Sequence, residues 1–356
     1  MNAAILAAWL AAVVQAAPAP DHARKERDLR DAPARMMPAV HTWLVPWDKA
    51  EFGADECFDQ VRPFALALST AGSVVAAYPE VLDAARERRR LGGRFVPVVV
   101  NDVIADGQTQ VLKSPDALTT LLGEPGARDS HVAQLLEAAR DFDGLEIDYE
   151  RVPDALWPGY VDFIERLSLG LHRRGKKLYV DLEPRVFYDR DWPARFGRRI
   201  TALVDGVDLM AYYEKGEQAA SPGPATSLPW VLETARRALA VVPKEKLVTV
   251  LSLAGTDWTE VLPGALWRGE RLTYGRTMKL MLESRGEMGW DASASCPFFK
   301  AVREGRPHEV WFENERSISR KVSALRGIGA ANIGLWYWGR RHPDFKELGL
   351  CPTKGR

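Results

Sequence analysis

Three carboxylates alternate along one short apolar run of the sequence. The run is FDGLEIDYE (142–150), and it carries Glu146, Asp148 and Glu150. Because side chains alternate across a β-strand, these three would point to one face and the apolar residues between them to the other. Carboxylates held close together repel one another and lose hydration, so at least one should keep a proton near neutral pH. A proton held on Glu150, at the end of the run, is what a general acid needs.

The same alternation also fits a half-buried strand whose acidic face is simply solvated. The elements around the run favour chemistry, because apolar or β-branched runs alternate repeatedly with amphipathic helical stretches. The eight runs cover residues 39–47, 64–68, 95–100, 144–150, 177–184, 207–213, 247–253 and 332–338. This rhythm predicts an α/β fold of parallel βαβ units, closed as a (β/α)8 TIM barrel. The acidic run is then the fourth strand, and it ends at the face where barrel active sites lie.

One long gap interrupts this rhythm, between the seventh and the eighth predicted strands. It contains strand-like pieces around a helical stretch, so we predict a small α+β insertion there, at about 259–314. The barrel itself should extend over residues 38–350. No GxGxxG motif follows the first strand, which removes the main signal of a dinucleotide-binding fold.

The amino-acid composition indicates which partners and cofactors to expect. Lys plus Arg and Asp plus Glu both number 48, and this neutral balance gives no reason to expect nucleic acid as a partner. No CxxC or HExxH motif is present, so we expect no metal and no cofactor. The twelve Trp could line a sugar-binding cleft or fill a core. Cys57, Cys296 and Cys351 allow one disulfide, whose pair the sequence does not determine.

The amino terminus has the features of an export signal. Residues 1–20 carry no charged side chain, and the apolar stretch is too short to span a bilayer. We predict a signal peptide at 1–16, a linker at 17–37, a secreted or periplasmic protein, and no stable membrane insertion after cleavage. A retained, membrane-tethered amino terminus is the alternative.

The acidic run also resembles the signature of a known family, glycoside hydrolase family 18. It matches that signature at every defined position except Glu146, where the family has the shorter Asp or Asn. Met210-Ala211-Tyr212 is similar to the family's Met-x-Tyr motif, and Trp336 stands where the family places a tryptophan under the cleaved sugar. Further segments resemble the spore-germination and cortex-lytic N-acetylglucosaminidase branch: VPWD (45–48), VVVND (98–102), SPGPATSLPW (221–230) and GTDW (255–258).

This resemblance implies a secreted enzyme that cleaves β-1,4 bonds next to N-acetylglucosamine, in peptidoglycan or chitin oligosaccharides. Catalysis would be retaining and substrate-assisted, which is an exception to the scheme of two catalytic carboxylates. Glu150 would be the acid and Asp148 would hold the acetamido N–H, while Tyr212 would orient the acetamido oxygen. Trp336 would form the floor under the sugar, and Glu146 would share a proton with Asp148.

Other candidate residues stand at predicted strand ends or beside the insertion. Asn101, Trp47 and Glu183 each end a strand and could bind the sugar, although a turn or a packing role explains them equally well. Trp258 borders the insertion and could form a wall of the cleft. The same two interpretations apply to Asp48, Asp102, Asp257 and Trp311.

Two alternatives to this enzyme remain. One is a catalytically weak or silent carbohydrate-binding protein on the same barrel. Glu146 and Tyr213 both depart from the family pattern, although the acid Glu150 is present. The other is a metal-dependent barrel hydrolase, which would need His or Asp at several further strand ends, and the sequence does not supply them.

Overall fold

The computed structural model describes residues 38–47, 58–90, 93–212, 214–216, 218–284, 286–336 and 350. The predicted signal peptide and linker lie outside the described residues, as do Asp48, Cys57, Tyr213 and Cys351. The strands are β1 (Val40–Leu44), β2 (Gln60–Ser69), β3 (Val74–Ala76), β4 (Val98–Ala105), β5 (Gln108–Val111), β6 (Gly144–Asp148), β7 (Lys177–Leu182), β8 (Gly206–Met210), β9 (Gln218–Ala219), β10 (Leu247–Ser252), β11 (Gly255–Leu262), β12 (Leu266–Leu272), β13 (Glu287–Asp291), β14 (Cys296–Arg303), β15 (Arg306–Trp311) and β16 (Asn332–Trp336).

The helices of the described residues mostly follow barrel strands. They are α1 (Pro79–Arg89), α2 (Pro115–Gly123), α3 (Pro125–Ala138), α4 (Trp157–His172), α5 (Arg185–Tyr188), α6 (Arg198–Leu203), α7 (Leu228–Leu239), α8 (Tyr274–Ser284) and α9 (Glu315–Gly327), with a 3₁₀ turn at Asp154–Leu156 and a π turn at Pro193–Gly197. Proline opens α1, α2 and α3, where its missing N–H costs nothing and its fixed φ suits a helix start. Asn314 and Ser317 begin α9 with reciprocal side-chain to backbone hydrogen bonds.

Eight parallel strands close into a barrel, in the order β1, β2, β4, β6, β7, β8, β10 and β16. The pairing of β16 with β1 completes the ring. Each of these strands overlaps one of the predicted runs, so the predicted (β/α)8 fold is confirmed. All eight carboxyl ends lie on one face, which therefore collects the residues that follow each strand.

Two apolar layers result from the alternation along each strand. Outward side chains such as Leu145 and Ile147 of β6 pack with the helices in the main core, which includes Phe163 and Leu167 of α4. Inward side chains fill the lumen instead. This second cluster contains Trp43, Val45, Phe64, Ala67, Val98, Val100, Met210, Tyr212, Val248 and Val250.

The insertion before β16 forms a sheet of its own. The sheet is antiparallel, with the order β13, β14, β15, β11, β12 and β9, and α8 lies between β12 and β13. Leu280 of α8 packs there with Leu272, Phe299, Val310 and Phe312. The α+β insertion was therefore predicted, but the participation of β9, from the loop after β8, was not. No helix among the described residues combines the length and apolar character needed to cross a membrane.

Candidate active site

Strand β6 delivers its carboxylates to the lumen, as the alternation predicts. Glu146 is fully buried, while Asp148 and Glu150 are each 7% exposed. Leu145, Ile147 and Tyr149 of the same run lie in the outer core. The lumen therefore receives one carboxylate deep in the barrel and two towards the carboxyl-terminal mouth.

The deep carboxylate lies in a group that we call the lower cluster, defined as Glu146, Arg62, Asp208, Asp181, His41 and Trp43. The indole Nε1 of Trp43 donates to Glu146 Oε1 over 2.8 Å, and the Arg62 guanidinium donates to Glu146 Oε2. The same guanidinium contacts Asp208 Oδ2 at 3.1 Å and His41 Nδ1 at 2.8 Å. Arg62 is itself fully buried. The extra methylene that distinguishes Glu146 from Asp is thus accommodated between an indole and a guanidinium.

Burial governs the protonation of the lower cluster. Oxygens of Glu146, Asp181 and Asp208 lie within 4.8 Å of one another. Burial raises the pKa of Glu146, and the Arg62 charge opposes that rise. Burial, together with the neighbouring Glu146 and Asp148, raises the pKa of Asp181 well above its ordinary value. Burial and the Arg62 charge lower the pKa of His41, so the cation of this cluster is Arg62.

The two carboxylates nearer the mouth share a different cation, and with it they form what we call the upper site: Asp148, Glu150 and Lys113. Lys113 Nζ lies 2.7 Å from Asp148 Oδ2 and 2.9 Å from Glu150 Oε1. Burial raises the pKa of Asp148 to about 7, although Lys113 lowers it. Asp148 can therefore exchange a proton near neutral pH, beside the predicted acid.

A hairpin carries Lys113 to this position. Strand β5 returns antiparallel to β4, and the backbone N–H of Lys113 donates to Asp102 Oδ1 at 2.8 Å. The next N–H, of Ser114, donates to the Asn101 carbonyl at 2.9 Å. Lys113 has a φ of +50°, in the left-handed region that non-glycine residues rarely adopt. Asp102 thus anchors this loop rather than contacting sugar.

Asn101 contacts the backbone of the predicted acid. It is fully buried, and its side-chain amide donates to the carbonyls of Glu150 at 3.0 Å and Ser114 at 3.2 Å. Its Oδ1 accepts the Glu150 backbone N–H at 3.1 Å. The amide of Asn101 is thus used to fix the backbone of the predicted acid, and its contact with sugar stays a prediction.

Aromatic side chains form one wall of the mouth. The ring of Trp336 stacks on that of Tyr212 with centroids 6.4 Å apart and an angle of 9° between planes. The same indole makes edge-on ring contacts with three other aromatic residues. The centroid distances are 5.3 Å to Phe64, 5.9 Å to Trp43 and 6.5 Å to Trp47. A cavity of about 360 Å³ opens beside Trp336, Tyr212 and Trp47, with Arg271 of the insertion on its far side. Flat apolar faces next to a cavity of this size suit a pyranose ring.

The candidates around the insertion do not reach this mouth. Trp258 is 1% exposed and donates its indole N–H to the Gly223 carbonyl at 2.8 Å, and its contact with substrate stays a prediction. Asp257 is buried and bound by Arg303 and His308.

Two more candidates have partners that explain them structurally. Trp311 is largely buried in the insertion. Glu183, at the end of β7, accepts from the backbone N–H of Arg151 at 2.9 Å and from Arg185 at 3.0 Å. Of the rim candidates that the structure describes, Trp47 is the one that lines the cavity, with half of its surface exposed.

The sequence contained signals for part of what was missed. Asp181 and Asp208 are each a charge inside a predicted apolar strand, which already demands a buried partner, whereas Arg62 lies just before the predicted run 64–68. Lys113 gave no such signal, because it lies in a loop and only the path of the hairpin brings it to Asp148.

Comparison with known proteins agrees with this geometry. The family model described as "Glycosyl hydrolases family 18" matches residues 116–341 of this chain. The cortical fragment-lytic enzyme of Bacillus subtilis (strain 168) is 26% identical over 230 residues, covering 63% of this chain and 53% of that protein. The di-N-acetylchitobiase of Mus musculus is 24% identical over 277 residues, covering 68% and 74%. The chain thus spans about half the length of the Bacillus relative.

A solved structure supports the fold. The chitinase from Chromobacterium violaceum ATCC 12472 superposes with a TM-score of 0.72 and 23% identity, covering 88% of this chain and 97% of that one. The resemblance drawn from the acidic run and the predicted class of enzyme, a glycosidase, are confirmed by these matches. The family match covers well over half of the chain and includes strand β6 with its carboxylates. The chain therefore belongs to glycosyl hydrolase family 18.

Proposed function

We propose that this protein hydrolyses β-1,4 bonds next to N-acetylglucosamine, in peptidoglycan or chitin oligosaccharides, by substrate-assisted retaining catalysis. The observation that carries the proposal is the upper site, where Asp148 and Glu150 stand side by side at the barrel mouth. One of them can hold a proton near neutral pH, because burial raises the pKa of Asp148 to about 7. The proposal also includes export, with residues 1–16 as the signal peptide.

The reaction begins with the transfer of a proton from Glu150 to the glycosidic oxygen. The bond between that oxygen and C1 breaks, while the acetamido oxygen of the same sugar forms a bond to C1, giving an oxazolinium ion. Asp148 accepts a hydrogen bond from the acetamido N–H and stabilises the positive charge. Tyr212 holds the acetamido oxygen in line for attack, which is catalysis by proximity. Trp336 supports the apolar face of the sugar.

Hydrolysis of the ion completes the cycle. Glu150, now a carboxylate, takes a proton from water as the water oxygen bonds to C1 and the acetamido oxygen leaves. The anomeric configuration is retained because C1 is displaced twice. No carboxylate of the protein forms a bond to the sugar.

A catalytically weak sugar-binding protein is the second candidate, and Lys113 is the observation that favours it. Its ammonium contacts both carboxylates and stabilises their ionised forms, whereas an acid must hold its proton. A substrate that rearranges these contacts would remove the conflict.

The variant Glu150→Gln separates the two candidates. The amide cannot deliver a proton, so turnover of chitin oligosaccharides and of purified peptidoglycan should fall by about a hundredfold to ten-thousandfold. Glu137→Gln, on the exposed face of α3, is the matched control and should keep the native rate. Product release is measured by mass spectrometry, and the melting temperature verifies the fold. A Glu150→Gln protein with near-native turnover would refute the assignment of the acid, and a native protein with no turnover would favour binding alone.

A further inference from the structure

Lys113 is the one charged side chain of the upper site that the proposed reaction does not use. Its side chain is 16% exposed, and its ammonium contacts Asp148 and Glu150 and lies 5.6 Å from the ring centroid of Phe64. Such a cation is costly to bury, and the hairpin holds it through a left-handed residue and a hydrogen bond to Asp102. Because burial of the Lys113 cation and its left-handed backbone both cost free energy, we expect this side chain to have a function next to the acid.

The charges of the upper site change when Glu150 becomes the acid. With both carboxylates ionised, Lys113 has two anionic partners. Once Glu150 takes up the proton it must donate, Lys113 loses one of its two ion-pair partners, and Asp148 and the nearby Asp102 remain as its anionic neighbours. An anionic group of the substrate could then occupy the vacated side of the ammonium, and it would also repel an ionised Glu150 and so favour the protonated acid.

The position of Glu150 determines where on the substrate that group must lie. The acid must reach the glycosidic oxygen, which in a β-1,4-linked glycan is O4 of the sugar on the leaving-group side. Lys113 Nζ is 2.9 Å from Glu150 Oε1, so a glycosidic oxygen in contact with the acid brings the substituents next to O4 close to the ammonium. These are the neutral hydroxymethyl group on C5 and the substituent on O3, and of the two only the substituent on O3 can carry a charge in these glycans. In chitin this is a hydroxyl, whereas in peptidoglycan the sugar that follows N-acetylglucosamine carries a lactyl group there, which ends in a carboxyl.

We infer that Lys113 is a specificity-determining residue, which binds a free 3-O-lactyl carboxylate on the leaving-group sugar and so selects acidic peptidoglycan strands over neutral glycans. This inference rests on the proposed function and names its substrate class. A lactyl group joined to a stem peptide is an amide and has no charge. The preferred substrate is therefore the product of an amidase-type reaction, which hydrolyses that amide and exposes the carboxylate.

Three substrates test the inference. They are peptidoglycan strands freed of stem peptides, the same strands with the lactyl carboxylates converted to primary amides, and a chitin hexasaccharide. The native protein should show a kcat/KM at least tenfold higher on the acidic strands than on the amidated ones, with part of the difference in kcat, because the carboxylate favours the protonated acid. Lys113→Met should bring the two values within threefold of each other, whatever happens to the absolute rates.

Two further variants distinguish charge from other effects. Lys113→Arg keeps the positive charge and should retain most of the preference. Lys279→Met removes a lysine on the exposed face of α8 and should leave the preference unchanged, which controls for the loss of general positive charge. Equal kcat/KM values of the native protein on acidic and amidated strands would overturn the inference and leave the proposed function intact. A preference that survives in Lys113→Met would also overturn it. Failure to cleave any of the three substrates would refute both.

Discussion

The lower cluster and the upper site are built from the same strand, yet they differ in their cation. In the lower cluster, Arg62 projects from a barrel strand, is fully buried and contacts Glu146 and Asp208. In the upper site, Lys113 comes from a hairpin and retains some exposure. A guanidinium keeps its charge under all ordinary conditions and binds with a fixed geometry, whereas an ammonium on a flexible stem can change partners. Glu146 and Asp148 are only two positions apart on β6, yet the first belongs to a structural ion cluster and the second to a site suited to proton transfer.

The lower cluster also contacts the aromatic wall of the mouth. Trp43 makes this link, because its indole donates to Glu146 and its ring contacts Trp336, the proposed floor of the sugar site. A shift of Glu146 would move that indole and the wall of the mouth with it. Small displacements of groups around a reacting centre can cost about a hundredfold in rate, so we expect changes at the deep carboxylates to alter catalysis without any contact with substrate.

Removal of each cation should have very different effects on stability. Arg62→Met leaves Glu146 and Asp208 buried without their cation, and the free energy of unfolding should fall by about 3–5 kcal/mol. Lys113→Met affects two carboxylates that are largely buried but lie towards the mouth, so the loss should be smaller, about 1–2 kcal/mol. Urea unfolding of both variants and of the native protein measures the difference. Equal losses would show that the two clusters are alike in burial, which contradicts the comparison.

The upper site should also make stability depend on pH. The folded-state pKa of Asp148 is about 7 and its ordinary value is 3.8, so between these values the folded chain binds more protons than the unfolded chain. This contribution to stability is present at low pH and is lost as the pH rises through 7. The stability of the Asp148→Asn variant should not show this loss, because an amide at position 148 does not ionise.

Relative to the native protein, Asp148→Asn should therefore gain stability between pH 4 and pH 7, by at most roughly 4 kcal/mol at about 1.4 kcal/mol for each pKa unit. Chemical denaturation at several pH values measures the gain. A stability difference that stays constant across this range would mean that Asp148 is ionised throughout, and the account of the upper site would fail.

The fold was predictable because it depends on patterns that repeat. Eight apolar runs and a single long gap were enough to indicate the barrel and its insertion. The inward direction of Glu146 and Asp148 followed from alternation alone. These features depend on local sequence, and no distant residue can reverse them without exposing an apolar face.

The partners of those carboxylates were not predictable in the same way. Asn101 was predicted at the barrel rim, but the hairpin that follows it turns its amide towards the backbone of Glu150. Trp258 was predicted as part of a cleft wall, whereas it lies on β11, in a sheet whose own core encloses it. In each case the outcome depends on long-range contacts, which residue type and spacing do not encode.

Inhibition by a thiazoline analogue of the N-acetylglucosamine oxazolinium ion tests the central claim most directly, because the analogue resembles a species that only substrate-assisted catalysis produces. We expect competitive inhibition at least a hundredfold stronger than that by N-acetylglucosamine, since catalytic sites bind such analogues far more tightly than ground states. Intact-protein mass spectrometry during turnover should show no sugar attached to the chain. A covalent glycosyl adduct on any Asp or Glu, or an analogue that binds no better than the free sugar, would contradict the account.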